Sequence, residues 1–163
     1  MRGRSVSATS RTPTWIGFFD KSGSPAIKVK LGGVFSEGQE FDAILDSGFT
    51  GFVSMPLISA FPLGLPLYGT TTVELADGTK ASKLTAQVEA SVGGESEVGV
   101  VILEPSSRDV LLGMAFLRIF KRALFVSTDV VLLIDESRRP DPDEPTPQES
   151  TPEGTTQPGQ NPG

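Results

Sequence analysis

Short β-prone runs set at close intervals, parted by glycine-bearing turns, constrain this chain more than any other feature. They occur at Ala26–Leu31, Glu40–Leu45, Phe49–Ser54, Thr70–Leu75, Ala86–Val92, Val98–Leu103, Leu124–Val126 and Val130–Ile134. Alternating or β-branched runs of this length fit a pleated, half-buried surface better than a helix. Gly32-Gly33, Glu37-Gly38, Ala76-Asp77-Gly78, Gly93-Gly94 and Ser127-Thr128-Asp129 supply the turns. Helices have little room. One candidate is Pro56–Phe61, with proline at its start and Pro62 ending it; the other is Met114–Arg122, following Gly113. So many short strands predict an all-β domain, either a small barrel or a sandwich.

Apolar residues divide the chain into three zones. Residues 1–14 are rich in Ser, Thr and Arg and are expected to be loose. Residues 15–136 hold nearly all the apolar side chains and form the predicted domain. Residues 137–163 are rich in Pro, Glu, Thr and Gly and contain no aliphatic or aromatic side chain. Such a segment buries too little surface to offset its ordering entropy, so a disordered acidic tail is expected. A linker to a partner is its lesser alternative.

The formal charge of −6 is unevenly spread. Asp141, Asp143, Glu144, Glu149 and Glu153 lie in a stretch without Lys or Arg, which leaves the remainder at −1. A nearly neutral body offers neither a nucleic-acid footprint nor a polybasic membrane patch. The opening MRGRSVSATSRTPTW has basic residues but no apolar stretch behind them. Apolar runs such as Val130–Ile134 are far too short to span a bilayer. A soluble, cytoplasmic protein is the expectation.

The chain has no Cys and no His. Thiol nucleophiles and disulfides are excluded, and so are the commonest general base and the commonest metal ligand. Carboxylates, Ser, Lys, Tyr and backbone groups remain. No S-x-x-K and no G-x-x-x-x-G-K occurs, and Asp141, Asp143 and Glu144 lack the spacing of a calcium loop. Two carboxylates also serve glycosidases, but nothing in the spacing recommends a sugar site. No metal and no cofactor are expected.

Acid–base chemistry therefore falls to carboxylates, and one is placed unusually. In FDAILDSGFTGF the apolar run through Ile44 and Leu45 ends on Asp46-Ser47-Gly48. The commonest use of D-S-G is a turn closed by Asx or Ser hydrogen bonds. The alternative is a carboxylate exposed at the edge of a core, with Ser47 as a local or intermolecular hydrogen-bonding group and Gly48 permitting close approach.

The pair ILDSGFTG and, later, VLLGMAFL resembles the retropepsins, the retroviral-type single-domain aspartic proteases, and their bacterial relatives. There the signature is two hydrophobic residues followed by Asp-Ser/Thr-Gly, with a later hydrophobic-hydrophobic-Gly packed beneath. Those roles fall here on Asp46, Ser47 and Gly48, and on Leu111, Leu112 and Gly113. The resemblance covers roughly residues 15–136 and implies a closed acid-protease β-barrel with one or two short helices. An internal echo agrees with it: strand, glycine turn, strand, ILDSG and helix, then Gln87–Val92, Gly93-Gly94, Val98–Leu103, VLLG and helix. Ser47 replaces the commoner Thr. Ala115 stands where many bacterial relatives have Asp, which puts a hydrogen bond or cap there in question.

Metal-free peptide hydrolysis needs a base to activate water and an acid to polarise the carbonyl. Two touching carboxylates supply both, because they cannot both ionise comfortably and so hold one proton between them. Only one D-[ST]-G is present. The resemblance therefore implies an obligate homodimer with Asp46 from each copy at the two-fold axis, acting on an extended peptide. It further implies a flap at the Ala76-Asp77-Gly78 hairpin, which is otherwise an ordinary surface turn. Phe49 is a candidate subsite residue, whereas Phe52 fits core packing better. A retropepsin-like dimerisation or peptide-binding module without activity is the competing reading.

Overall fold

The computed structural model describes residues 13–74 and 77–136. The expectations of a loose start and a disordered acidic tail, and Ala76, lie outside the described residues, apart from residues 13 and 14. Among the described residues, eleven strands and two short helices are formed. In chain order they are β1 (Trp15–Ile16), β2 (Phe18–Phe19), β3 (Pro25–Gly32), β4 (Gln39–Leu45), β5 (Val53–Pro56) and α1 (Leu57–Ala60). A 3-10 turn at Phe61–Leu63 leads to β6 (Leu67–Glu74), β7 (Lys80–Val92), β8 (Glu95–Glu104) and β9 (Val110–Leu112). The chain continues with α2 (Met114–Ile119), β10 (Arg122–Val126) and β11 (Val131–Asp135). Among the described residues no helix is long and apolar enough to cross a membrane.

An all-β domain was expected, and the described residues form a mostly-β fold with two short helices. One sheet runs β2-β3-β4-β9-β5-β8-β7-β6, and β3 also pairs with β7 through Lys30↔Ser91, Leu31↔Ala90 and Gly32↔Glu89. A second, three-stranded sheet runs β1-β11-β10.

The internal echo is carried by pairing. β4 lies parallel to β9, β8 lies parallel to β5, and β5 and β9 are antiparallel to each other. Exchanging β3, β4 and β5 for β7, β8 and β9 leaves this pattern unchanged. Each half thus inserts its third strand beside the second strand of the other, so neither half completes its sheet alone.

Alternation builds the core. Ile27, Val29 and Leu31 of β3 and Ala86, Val88 and Ala90 of β7 point inward and are buried. The β7–β8 hairpin turns at Gly93-Gly94, where φ is 59° and 87°, the two positive values a tight primed turn demands. Trp15, Phe52, Phe116 and Phe120 form an aromatic cluster under α2, with Phe116 and Phe120 centroids 4.6 Å apart. Each such side chain contributes about 1.5–3 kcal/mol when fully buried.

Several strands run longer than expected, β7 from Lys80 rather than Ala86 among them, and two further differences bear on the site. Phe49–Ser54 was expected as one strand, but only Val53–Pro56 is extended, because the carbonyls of residues 49–51 turn toward α2. The second helix stops at Ile119 rather than reaching Arg122: Lys121 takes φ 52° and sends the chain into β10. Arg122 is then fully buried. Its guanidinium lies 4.1 Å from the Trp15 ring centroid, donates to the Pro13 carbonyl at 2.7 Å, and pairs with Glu95.

Candidate active site

Asp46 is the first residue after β4. Strand β9 continues to hold it, since the Asp46 N–H donates to the Leu112 carbonyl at 3.0 Å. The chain then reverses, with the Phe49 N–H donating to the Asp46 carbonyl at 3.2 Å. Asp46 Oδ1 accepts the Gly48 N–H at 2.9 Å. The tripeptide is thus an Asx turn, as the commonest use of D-S-G requires, and the carboxylate it holds is only half-buried. Ser47 and Gly48 are exposed. Gly48 is not in the left-handed region, so it needs no unusual dihedral. Its contribution is an N–H close to Oδ1, where an added Cβ would lie 3.2 Å from that oxygen.

The turn is clamped from below by the start of α2. An α-helix leaves its first N–H groups without internal partners. Here the Gly113 N–H donates to the Phe52 carbonyl at 3.2 Å and the Met114 N–H to the Phe49 carbonyl at 2.8 Å. The Ala115 N–H is shared between the carbonyls of Thr50 and Gly51, at 3.2 Å each. Loop backbone therefore does the capping, and no side chain caps α2. An aspartate at position 115 is not needed for it. Leu111 and Leu112 extend the support: they pair with Ile44 and Leu45 on one side and with Ser54 and Val53 on the other.

Space under the loop is tight. A Cβ on Gly113 would overlap the carbonyl oxygens of both Phe49 and Gly51. The half-buried Phe49 ring lies against Gly51 and Gly113, folded over the loop's own backbone. Phe52 is in the core, 5.6 Å from Phe116 between ring centroids.

The structure brings Asp46, Ser47, Gly48, Leu111, Leu112 and Gly113 together. Asp77 and Gly78 lie apart from them, at the end of the β6–β7 hairpin. There Asp77 Oδ1 accepts the Thr79 N–H at 2.9 Å and the Thr79 hydroxyl at 2.6 Å, and Gly78 has φ 80°. These hydrogen bonds, the hydroxyl's first, hold the Asp77 carboxyl below its ordinary value. Among the described residues, no group of three or more Asp or Glu side chains is placed to hold a metal ion.

Sequence reasoning missed what lies beside Ser47. Ser47, Met114, Leu117, Leu124 and Val126 line a depression of about 480 Å³ between the loop and β10. Phe125 and Val126 of β10 are half-exposed, and β10 is an edge strand among the described residues. The continuous apolar run Leu124–Val126, in a strand too short to bury both faces, was the available signal.

A family model described as aspartyl protease matches residues 27–116, over half the chain and including both the Asp46 loop and Gly113. By structure the chain is similar to a retropepsin-like aspartic protease from Rickettsia conorii. The TM-score is 0.58 at 18% identity, covering 74% of this chain and 90% of that one. It is also similar to the EIAV protease complexed with the inhibitor HBY-793, with a TM-score of 0.50 at 14% identity, covering 61% and 90%. No curated protein matches the chain by sequence. Identities this low establish the fold, and the family model establishes the membership: the chain belongs to the aspartyl protease family, an aspartic endopeptidase of retropepsin-like fold.

Proposed function

We propose that the active species is a homodimer in which Asp46 of two copies forms one catalytic dyad at the two-fold axis. One observation carries this reading. The chain supplies a single D-S-G carboxylate, half-exposed on a clamped loop, beside a mostly apolar depression rimmed by Arg118 and Glu136 and beside β10, an edge strand among the described residues. A second copy docked on that face would cover the depression and bring in the missing carboxylate. The β3–β7 pairing supports a closed barrel as the rigid base of each protomer, with the protease domain at residues 15–136.

The chemistry follows from sharing one proton. The ionised carboxylate takes a proton from water as the water oxygen bonds to the peptide carbonyl carbon. The protonated partner delivers its proton to the carbonyl oxygen, so no free oxyanion forms. Collapse of the tetrahedral intermediate breaks the C–N bond as the amine takes the dyad's proton, and a hydroxyl of the gem-diol gives its proton back to the dyad, leaving a carboxylic acid, a free amine and a dyad with one proton. Ser47 and Gly48 position the carboxylate, and Leu111, Leu112 and Gly113 hold the loop. The β6–β7 hairpin, with Asp77 and Gly78 near its end, closes over an extended substrate, and Phe49 borders it.

The test is peptide-library cleavage by wild type and Asp46→Asn, with solution mass measured for both. Loss of cleavage with the dimer retained supports the dyad. A dimer in which neither form cleaves any peptide would favour a non-catalytic binding module. A strictly monomeric active enzyme contradicts the mechanism.

A further inference from the structure

The two faces of the β6–β7 hairpin differ, and strand alternation identifies which faces inward. β7 is continuous from Lys80 to Val92, and its even-numbered Ala86, Val88, Ala90 and Val92 are buried. Leu84, Ser82 and Lys80 continue that row beyond the core, because side chains two residues apart share a face. Their cross-strand partners are Thr70, Thr72 and Glu74. The other face turns away from that core row, although Thr85 on it is buried. There Lys83 bonds Glu104 of β8 at 2.6 Å, on the row that holds the exposed Val98 and Val100, while Val101 and Leu103 between them point into the core.

The inward row is mostly polar. It offers three hydroxyls, from Thr70, Thr72 and Ser82, then opposite charges facing each other at Glu74↔Lys80. Among the described residues of this row, Leu84 is the one aliphatic member, 45% exposed. Covering such hydroxyls with an aliphatic side chain removes their water and returns no hydrogen bond. Sites built to hydrogen-bond a substrate discriminate strongly against analogues that lack the polar group.

We propose that this inward hairpin face is a specificity element that selects polypeptides presenting polar side chains, hydroxyl- or amide-bearing, beneath Thr70, Thr72 and Ser82. This rests on the reading of the hairpin as the roof of a protease cleft. It adds the substrate class: polar, extended segments in place of the aliphatic stretches that an apolar roof would take.

The test compares two peptide pools, identical except at the four positions on each side of the scissile bond. One pool carries Ser, Thr, Asn and Gln there, and the other Val, Ile and Leu. The expected result is a kcat/KM at least about tenfold higher for the polar pool, with the ratio shrinking or reversing in the Thr72→Val/Ser82→Val double variant. Equal cleavage of the pools by wild type, or preference for the aliphatic one, overturns the inference and leaves the protease reading standing. An unchanged ratio in a normally melting double variant overturns it as well. Should that variant not fold, the wild-type ratio decides. If wild type cleaves neither pool at any pH, the protease reading itself fails, and this inference with it.

Discussion

The Phe49 carbonyl oxygen that receives the Met114 N–H at 2.8 Å is one of two oxygens that a methyl on Gly113 would strike. Glycine at position 113 is therefore a packing requirement of the Asp46 loop. Its φ of −104° would suit any residue. Gly113→Ala is expected to displace residues 49–51 and detach α2 from the loop. Overpacking of this kind costs about 1–3 kcal/mol, and here the obstacle is backbone, which cannot rotate away. Urea unfolding should register the loss, and peptide cleavage should fall more steeply than stability, since the carboxylate proposed as catalytic rides on the displaced turn. A fully active Gly113→Ala protein would contradict the clamp.

α2 holds the loop only as firmly as its own packing allows. Phe116 is fully buried, and its ring centroid lies 4.6 Å from Phe120 and 5.6 Å from Phe52. Phe116→Ala should cost about 3–5 kcal/mol, against no more than about 0.5 kcal/mol for Phe61→Ala, whose side chain is exposed. Denaturant midpoints at one protein concentration make the comparison. Similar losses at the two sites would show that the aromatic cluster is not the core of this half.

The end of the β6–β7 hairpin should respond to acid. Hydrogen bonds from Thr79 favour the charged form of Asp77, so its folded value lies below the ordinary 3.8. The sign follows from linkage: the local stabilisation is fully present above the ordinary value and is lost as pH falls through the lowered one. The Thr79 amide resonance, followed by NMR, should move at a pH below 3.8. Asp77→Asn should remove that titration and leave the Asp46 loop unchanged. A midpoint at or above the ordinary value would mean that the Asx turn does not persist in solution.

Much of this was legible in the chain, for reasons particular residues make plain. ILDSG and VLLG mark a carboxylate and its buttress through their resemblance to the retropepsin signature, and the pairing of Leu111 and Leu112 with Ile44 and Leu45 gives the physical reason. Gly93-Gly94 announced its hairpin through the two positive φ values it must adopt. Val110–Leu112 did not reveal itself as the strand between β4 and β5, since three apolar residues carry no period. Phe49–Gly51 looked like strand because aromatic and β-branched residues favour one. Its hydrogen bonds instead go to a helix start sixty-odd residues away in sequence, which no local pattern encodes. Arg122 followed the helical phase of Met114–Ile119 until Lys121 turned left-handed, so its burial could not be anticipated.

That burial sets up the clearest electrostatic contrast in the molecule. Arg122 is fully buried against Trp15 and bonded to Glu95 and to the Pro13 carbonyl, which ties β10, the β7–β8 hairpin and the chain before β1 together. Lys28 bonds Glu40 and Asp42 with side chains about 60% exposed. Removing one partner of a buried pair strands an uncompensated charge, at about 3–5 kcal/mol, whereas exposed pairs are screened by solvent and contribute little. Glu95 is itself 36% exposed, so Glu95→Ala should fall at the lower end of that range, and Glu40→Ala should change stability far less. In the homodimer proposed above, β10 borders the covered depression beside Ser47, so Glu95→Ala should also weaken that association, seen as a shift of sedimentation toward monomer on dilution. Equal, small effects of the two substitutions on unfolding would mean that the Arg122 guanidinium reaches water when Glu95 is gone. Its contact with Trp15 would then be no anchor for the hairpin.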